Sequence, residues 1–415
     1  GSSAQPLVRV RHHMPYFMAS KAVWNYNLAL EIPESVLASQ YALLSKNRSG
    51  QAALGPMGNV MLTPAFGTTG GRPEIGPLPQ WTATYLISQD SRAFEVMLAN
   101  SDAGAAVPVH YRDESSGQAL DLDRHPNVST ARGTSQPLLP TLVNGTTIWD
   151  PDTSHQASFA YVPYMITGDA FYQDELMFWA AWNFTYQSPG YREGGKGLLW
   201  EDQVRAQAWM MRALGEAARI LPESHAMKAY FQSRLSTNLE WFHQNLVVNP
   251  GKDVSPMGTP VNPYSVDQTG PWQNDFFGIV LAQLAENQEP KALELLQWMS
   301  RFNVGRFTNE AQGYCIAYAP AYYLNLRDTK GSFITSWATL FQANFPNGKC
   351  SDAIVDGSYP TSAGGYAANA RAMLASAAAV GITDAAQAYK LWIAKTPGID
   401  ADFLNNPTWA IIPRP

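Results

Sequence analysis

The sequence predicts an all-α fold, an (α/α)6-type toroid of about six helical hairpins whose long loops gather on one face. Three observations carry this reading. The motif Tyr-[Leu/Met]-x-x-x-Asp recurs at 85–90, 164–169 and 323–328. Between and after these copies, apolar residues step by three or four and then break at short polar turns, the signature of paired amphipathic helices. Hydrophobic residues make up 46% of the 415-residue chain and charged residues 15%, which supports a large buried core and excludes disorder.

The elements follow in order. Residues 1–75 form a capping segment of the same domain, with one helix expected at 33–45, and 76–415 form the toroid. The first hairpin turns at Asp90 and the second at Gly168-Asp169. In each, the Asp has the profile of an N-cap whose carboxylate accepts from free amides of the second helix, and Gly168 takes the left-handed backbone that closes the first. Val204, Ala208, Met211, Leu214, Ala218 and Leu221 mark one face of a third hairpin, which breaks at Pro222-Glu223-Ser224 and resumes through Phe231, Leu235, Leu239 and Phe242. A fourth runs from Phe276 through Leu284, turns near Asn287 and continues through Leu293, Leu296 and Met299. A fifth is expected to turn at Arg327-Asp328, and a sixth spans 363–379, turns at 381–384 and resumes through Tyr389 and Trp392. Units of uneven length joined by long irregular segments close into a ring more simply than they stack as a regular solenoid. No linker divides them, so one domain is expected.

Charge and motifs narrow the function. A net charge of −6 without a run of Lys or Arg offers no footprint for nucleic acid or an anionic membrane, and both are excluded as partners. No apolar stretch approaches a membrane span, and the sequence lacks a basic segment followed by an apolar core. Removal of a secretion signal would leave the same N-terminus, so the compartment stays open, with a secreted or periplasmic setting favoured. Cys315 and Cys350 are compatible with one disulfide or two free thiols. Sequons stand at Asn47, Asn127, Asn144 and Asn183. The seven histidines show no metal spacing, and His225 and His243 fall within expected helices on their outer faces. The glycines at 67–71 lack the Lys-Ser/Thr of a phosphate loop, no Gly-x-Ser-x-Gly elbow is present, and neither cofactor nor metal is expected.

In a ring of hairpins the tight turns lie on one face and the connections between pairs on the other. Those connections carry Glu74, His110, Tyr111, Arg112, Asp113, His155, Gln156, Trp200, Glu201, Arg205, Tyr264, Trp272, Gln273 and Asp275. Trp and Tyr faces cover the apolar faces of pyranose rings, while carboxylates, amides and Arg take hydroxyls and acid groups, so the expected partner is a poly- or oligosaccharide. The 13 Trp and 19 Tyr exceed what helices alone would bury, because several stand in these polar loops.

Over most of its length this architecture resembles the (α/α)-toroid enzymes that act on polysaccharides, both glycoside hydrolases and alginate-lyase-like polysaccharide lyases. The resemblance implies glycosidic bond cleavage. Hydrolysis needs one protonated and one ionised carboxyl flanking the bond. Asp275, between Trp272 and Phe276, is the expected acid, with Asp113, Glu201, Asp202, Asp152 and Glu74 as further carboxyls. Elimination needs a group that neutralises the uronate carboxylate and a Tyr or His that moves the proton. Ser154-His155-Gln156 followed by Arg205 is similar to the Asn-Asn-His and downstream Arg of the lyases. It departs from them in lacking the paired Asn and in placing Arg212, not Tyr, seven residues after Arg205. Tyr111, beside His110 and Arg112, is the substitute tyrosine. Hydrolysis is the first expectation and elimination the second; a non-catalytic glycan-binding protein is the third.

Overall fold

Five helical hairpins form where the apolar periodicity places them, in a computed structural model of the chain that describes residues 10–46, 52–55, 57–68, 71–130, 147–200, 203–354 and 365–415. Two helices precede them, α1 (Met14–Ala19) and α2 (Glu34–Ala42). The hairpins are α3 (Gln80–Ser88) with α4 (Ser91–Gly104), α5 (Tyr161–Thr167) with α6 (Ala170–Tyr186), α7 (Val204–Ile220) with α8 (Lys228–His243), and α9 (Pro271–Glu286) with α10 (Pro290–Asn303). Short α11 (Gly305–Thr308) and α12 (Trp337–Asn344) intervene before α13 (Tyr366–Ala379) and α14 (Ala385–Lys395), and α15 (Ile399–Asp402) follows. Among the described residues the only sheet pairs β1 (Gln268–Thr269) antiparallel with β2 (Leu324–Asn325). None of the described helices is long and apolar enough to cross a membrane.

The tight turns are built as their sequence implies. Asp90 accepts from the Arg92 amide at 2.7 Å and Asp169 from the Phe171 amide at 2.9 Å, each satisfying an orphan donor of the helix it opens. Gln89 (φ 51°) and Gly168 (φ 68°) supply the left-handed residue that ends α3 and α5.

Helices α7, α9 and α13 are buried almost all round, and each packs on the next, while α8, α10 and α14 bury one stripe against them. The sequences explain the difference. Between Pro271 and Ala285 the only charged residue of α9 is Asp275, and α13 is dominated by alanine, which permits close approach. Gly215 serves the α7–α9 contact in the same way: a Cβ there would stand 2.6 Å from Leu284 Cδ2. Helix α6 packs on α7, and a 3-10 turn, Pro407–Trp409, lies between α13 and α3.

The fifth expected hairpin is not helical. Tyr323-Leu324 leads into β2, Asp328 accepts from the amides of Lys330 and Ser332 in a loop, and Arg327 pairs with Asp267 and covers the Phe333 ring. Here the motif that caps a helix elsewhere caps a turn, because strand pairing with 268–269 captures the backbone. Residues 314–345 form an excursion with its own apolar cluster around Tyr314, Leu326, Leu340 and Phe341, and the Cys315–Cys350 disulfide ties its ends. His243, expected on an outer face, is buried at the end of α8, 2.7 Å from Glu294 on α10. Asn183 is buried too, so its sequon is inaccessible in the folded chain.

The capping segment is part of the main core, which runs from Met14 to Ile411. The Trp24 indole donates to Ile279 O of α9. Tyr26 bridges Ile411, Asn25 donates to Ile412 O and Pro413 O, and Arg414 pairs with Glu286 while donating to Met18 O and Val23 O.

Candidate functional site

The N-terminal ends of α7, α9 and α13 meet at a cluster built around Trp272. Gly270 and Pro271 open α9, so Trp272 and Gln273 fall in its first turn. The Gln273 carboxamide bridges two neighbours: Oε1 accepts from the Arg205 amide at 3.2 Å and Nε2 donates to Tyr323 Oη at 3.3 Å. The Arg205 guanidinium lies 5.5 Å from the Trp272 ring centre and donates to Gln203 Oε1 at 2.7 Å. Among the described residues it makes no carboxylate ion pair within 4 Å. Trp272 stacks with Tyr366 at 5.2 Å and with Tyr322 at 6.0 Å, and its indole N–H donates to Tyr322 O. The β1–β2 pairing delivers Tyr322 and Tyr323 to this place, since β1 runs directly into α9 and β2 directly follows Tyr323.

His155 and Asp152 adjoin this cluster electrostatically. His155 Nδ1 lies 3.1 Å from Asp152 Oδ1. Burial raises the Asp152 pKa, but His155, the Ser154 amide and the charge of Arg205 outweigh it and hold the carboxyl below its ordinary value. Burial and Tyr322 raise the Tyr323 phenol, with Arg205 and Gln273 opposing, so it stays protonated at neutral pH. No protein-family model, curated protein or solved structure matches the chain. Function therefore rests on this geometry.

The other expected site residues are dispersed. Asp275 is fully buried and pairs with Arg306; burial pushes its carboxyl up and Arg306 opposes the rise. Asp113 closes the 113–118 turn, accepting from the Ser115 amide and hydroxyl and the Ser116 amide, and lies 2.6 Å from His125 Nε2. The Ser115 hydroxyl and His125 hold it well below the usual carboxylate range. The two carboxyls share no partner. His110 lies 2.8 Å from Glu175, and Arg112 covers Phe178 and pairs with Asp174, so the segment around Tyr111 follows the first half of α6 toward the tight-turn end. None of these interactions reaches Arg205 or Trp272. Glu74 is buried, accepting from the Thr63 amide and pairing with Arg72, which makes it a clip for the 63–74 segment. Gln156 exchanges two hydrogen bonds with Asn183, and Arg212 donates to Gly76 O and Gln156 O. Arg212 thus fastens two connections behind the site. Trp200 stacks on Trp241, Tyr264 is 70% exposed in the 262–268 loop, and Glu201 and Asp202 lie outside the described residues.

Sequence reasoning did not single out Tyr322 or Tyr366, and it read Tyr323 as the start of a helix-pair motif and not as a site residue. The Tyr322-Tyr323 pair follows Gly313, Cys315 and Pro320, a run that breaks helical periodicity and marks a loop, and that was the available signal.

Proposed function

We propose that the hairpins close into an (α/α) toroid and that the chain is a glycan-cleaving enzyme that acts on uronate-containing polysaccharide by β-elimination. The Gln273 bridge carries the reading, because it ties the backbone of Arg205, whose guanidinium covers the Trp272 ring, to a protonated phenol. Tyr322, 42% exposed and backed by the buried Trp272, would take a sugar ring by stacking, and Arg205 would neutralise the uronate carboxylate, easing loss of the C5 proton. His155, with Nδ1 held by Asp152, would take that proton on Nε2. The C4–O4 bond then breaks as the C4–C5 double bond forms, and Tyr323 Oη protonates the leaving oxygen. Solvent exchange restores both groups.

Hydrolysis is the second reading, favoured by one observation: the Asp275 carboxyl is pushed up and that of Asp113 down, the split an acid and a base require. Against it stands the enclosure of Asp275 with Arg306. One assay separates the readings. The chain is incubated with alginate, polygalacturonate, hyaluronan and neutral glucans, and ultraviolet absorbance of unsaturated uronate is followed beside new reducing ends. Elimination predicts both signals from a uronate polymer and their loss in Arg205→Ala. Reducing ends without unsaturation would establish hydrolysis instead, and absence of any product would leave glycan binding alone.

A further inference from the structure

On the other side of α7 from the Trp272 cluster a cleft of about 330 Å³ opens at the same end of the molecule, within the size range of small-ligand sites. Arg205 and Gln207 stand two residues apart on α7, so they point in nearly opposite directions: Arg205 toward Trp272, and Gln207 toward this cleft. The Gln207 carboxamide donates to Trp200 O and Val261 O and so fixes the cleft's inner wall. Its floor is a pair of half-buried indoles, Trp200 and Trp241, stacked at 5.4 Å and 22°. Tyr191, 53% exposed, continues the aromatic surface edge-on to Trp200 and accepts the Trp200 indole N–H on its carbonyl. At this cleft α8 runs on into a π-helical turn, Gln244–Val248, a rare conformation that is frequent at functional sites. The turn carries Asn245, and Asn249 follows it. Both have exposed carboxamides, and Lys252 and Asp253 line the same cleft.

We infer that this cleft is a second glycan-binding site, which holds a run of pyranose residues against Trp241 and Trp200 while Asn245, Asn249 and Asp253 take hydroxyls. Two half-exposed indoles set among amides at a concave surface match a ligand with one apolar face and a polar rim, which describes a pyranose ring. One ammonium and one carboxylate on the lining leave the cleft without strong charge selection. The inference does not depend on cleavage at the Trp272 cluster.

The test is affinity electrophoresis of the whole chain through gels containing alginate, polygalacturonate, hyaluronan, hydroxyethylcellulose or galactomannan. At least one polymer should retard the chain. Trp241→Ala and, separately, Asn249→Ala, each checked for an unchanged melting temperature, should weaken that retardation about tenfold for the indole and by less for the amide. Tyr323→Phe and Arg205→Ala should keep it. Asn249 is exposed, so its variant reports binding even where loss of the indole disturbs packing. Retardation that persists in Trp241→Ala and Asn249→Ala but vanishes in Arg205→Ala would place glycan binding at the other cluster and overturn the inference. Absence of retardation by all five polymers overturns it as well, whatever the cleavage assay shows.

Discussion

Asp275 lies in α9 and Tyr323 meets the first turn of that helix through Gln273, yet their environments assign them opposite kinds of work. Asp275 is enclosed with Arg306, and removing one partner of a buried pair leaves the other charge uncompensated. Asp275→Asn should therefore lower the unfolding free energy by about 3–5 kcal/mol, read from a urea midpoint, whereas Asp275→Leu combined with Arg306→Met should recover much of that loss. An unchanged midpoint in Asp275→Asn, with activity gone, would return this residue to the role of acid. Tyr323 is half-buried, and its phenol oxygen accepts from Gln273. Tyr323→Phe should reduce formation of unsaturated uronate by about 10²–10⁴-fold, the usual contribution of a positioned proton donor. Its stability should change by less than about 1.5 kcal/mol, the net value of one hydrogen bond.

At the scale of elements, the tight turns were readable because their physics is local. An Asp two residues before the amide it caps and a residue free to take left-handed backbone suffice, and Asp169→Ala should accordingly lower stability by about 1 kcal/mol in thermal unfolding. The 323–328 copy carries the same letters with another outcome, since its partner strand lies some fifty residues earlier and no local rule contains that pairing. The candidate site divides along the same line. Arg205, Trp272 and Gln273 stand at helix entrances that the sequence marks, and His155, expected to open a helix, instead ends a short 3-10 turn, whereas Tyr322 and Tyr323 arrive on the excursion that β2 anchors. The Cys315–Cys350 disulfide closes a separation of 35 residues around that excursion. Replacing both cysteines with serine should cost about 3–4 kcal/mol by the chain-entropy relation. Cleavage by the folded remainder should fall with it, because Tyr323 loses its tether; full cleavage in the double variant would show that β1–β2 pairing holds the tyrosines unaided.

For the molecule as a whole, pH sensitivity should centre on Glu216 of α7. Burial raises its pKa from 4.5 to about 7 against the opposing pull of Arg212 and the Ser158 hydroxyl. The folded chain thus holds a proton that the unfolded chain releases. The associated stability is complete below pH 4.5 and is lost as pH rises through about 7, a change of about 3 kcal/mol. Glu216→Gln should flatten that decline in unfolding free energies measured between pH 5 and 8; an identical slope in the variant would assign it to another group. A different consequence follows from the meeting of residues 25–26 with 411–413 and from the Arg414 clasp on Met18, Val23 and Glu286. These contacts join segments nearly four hundred residues apart in the chain, so forming them demands the largest loop closure in the molecule. The seam should therefore zip last during refolding and breathe first in the native state. Hydrogen exchange would reveal it as one cooperative patch, with the amides of Asn27 and Ile412, which bond across the seam, losing protection together before those of α9.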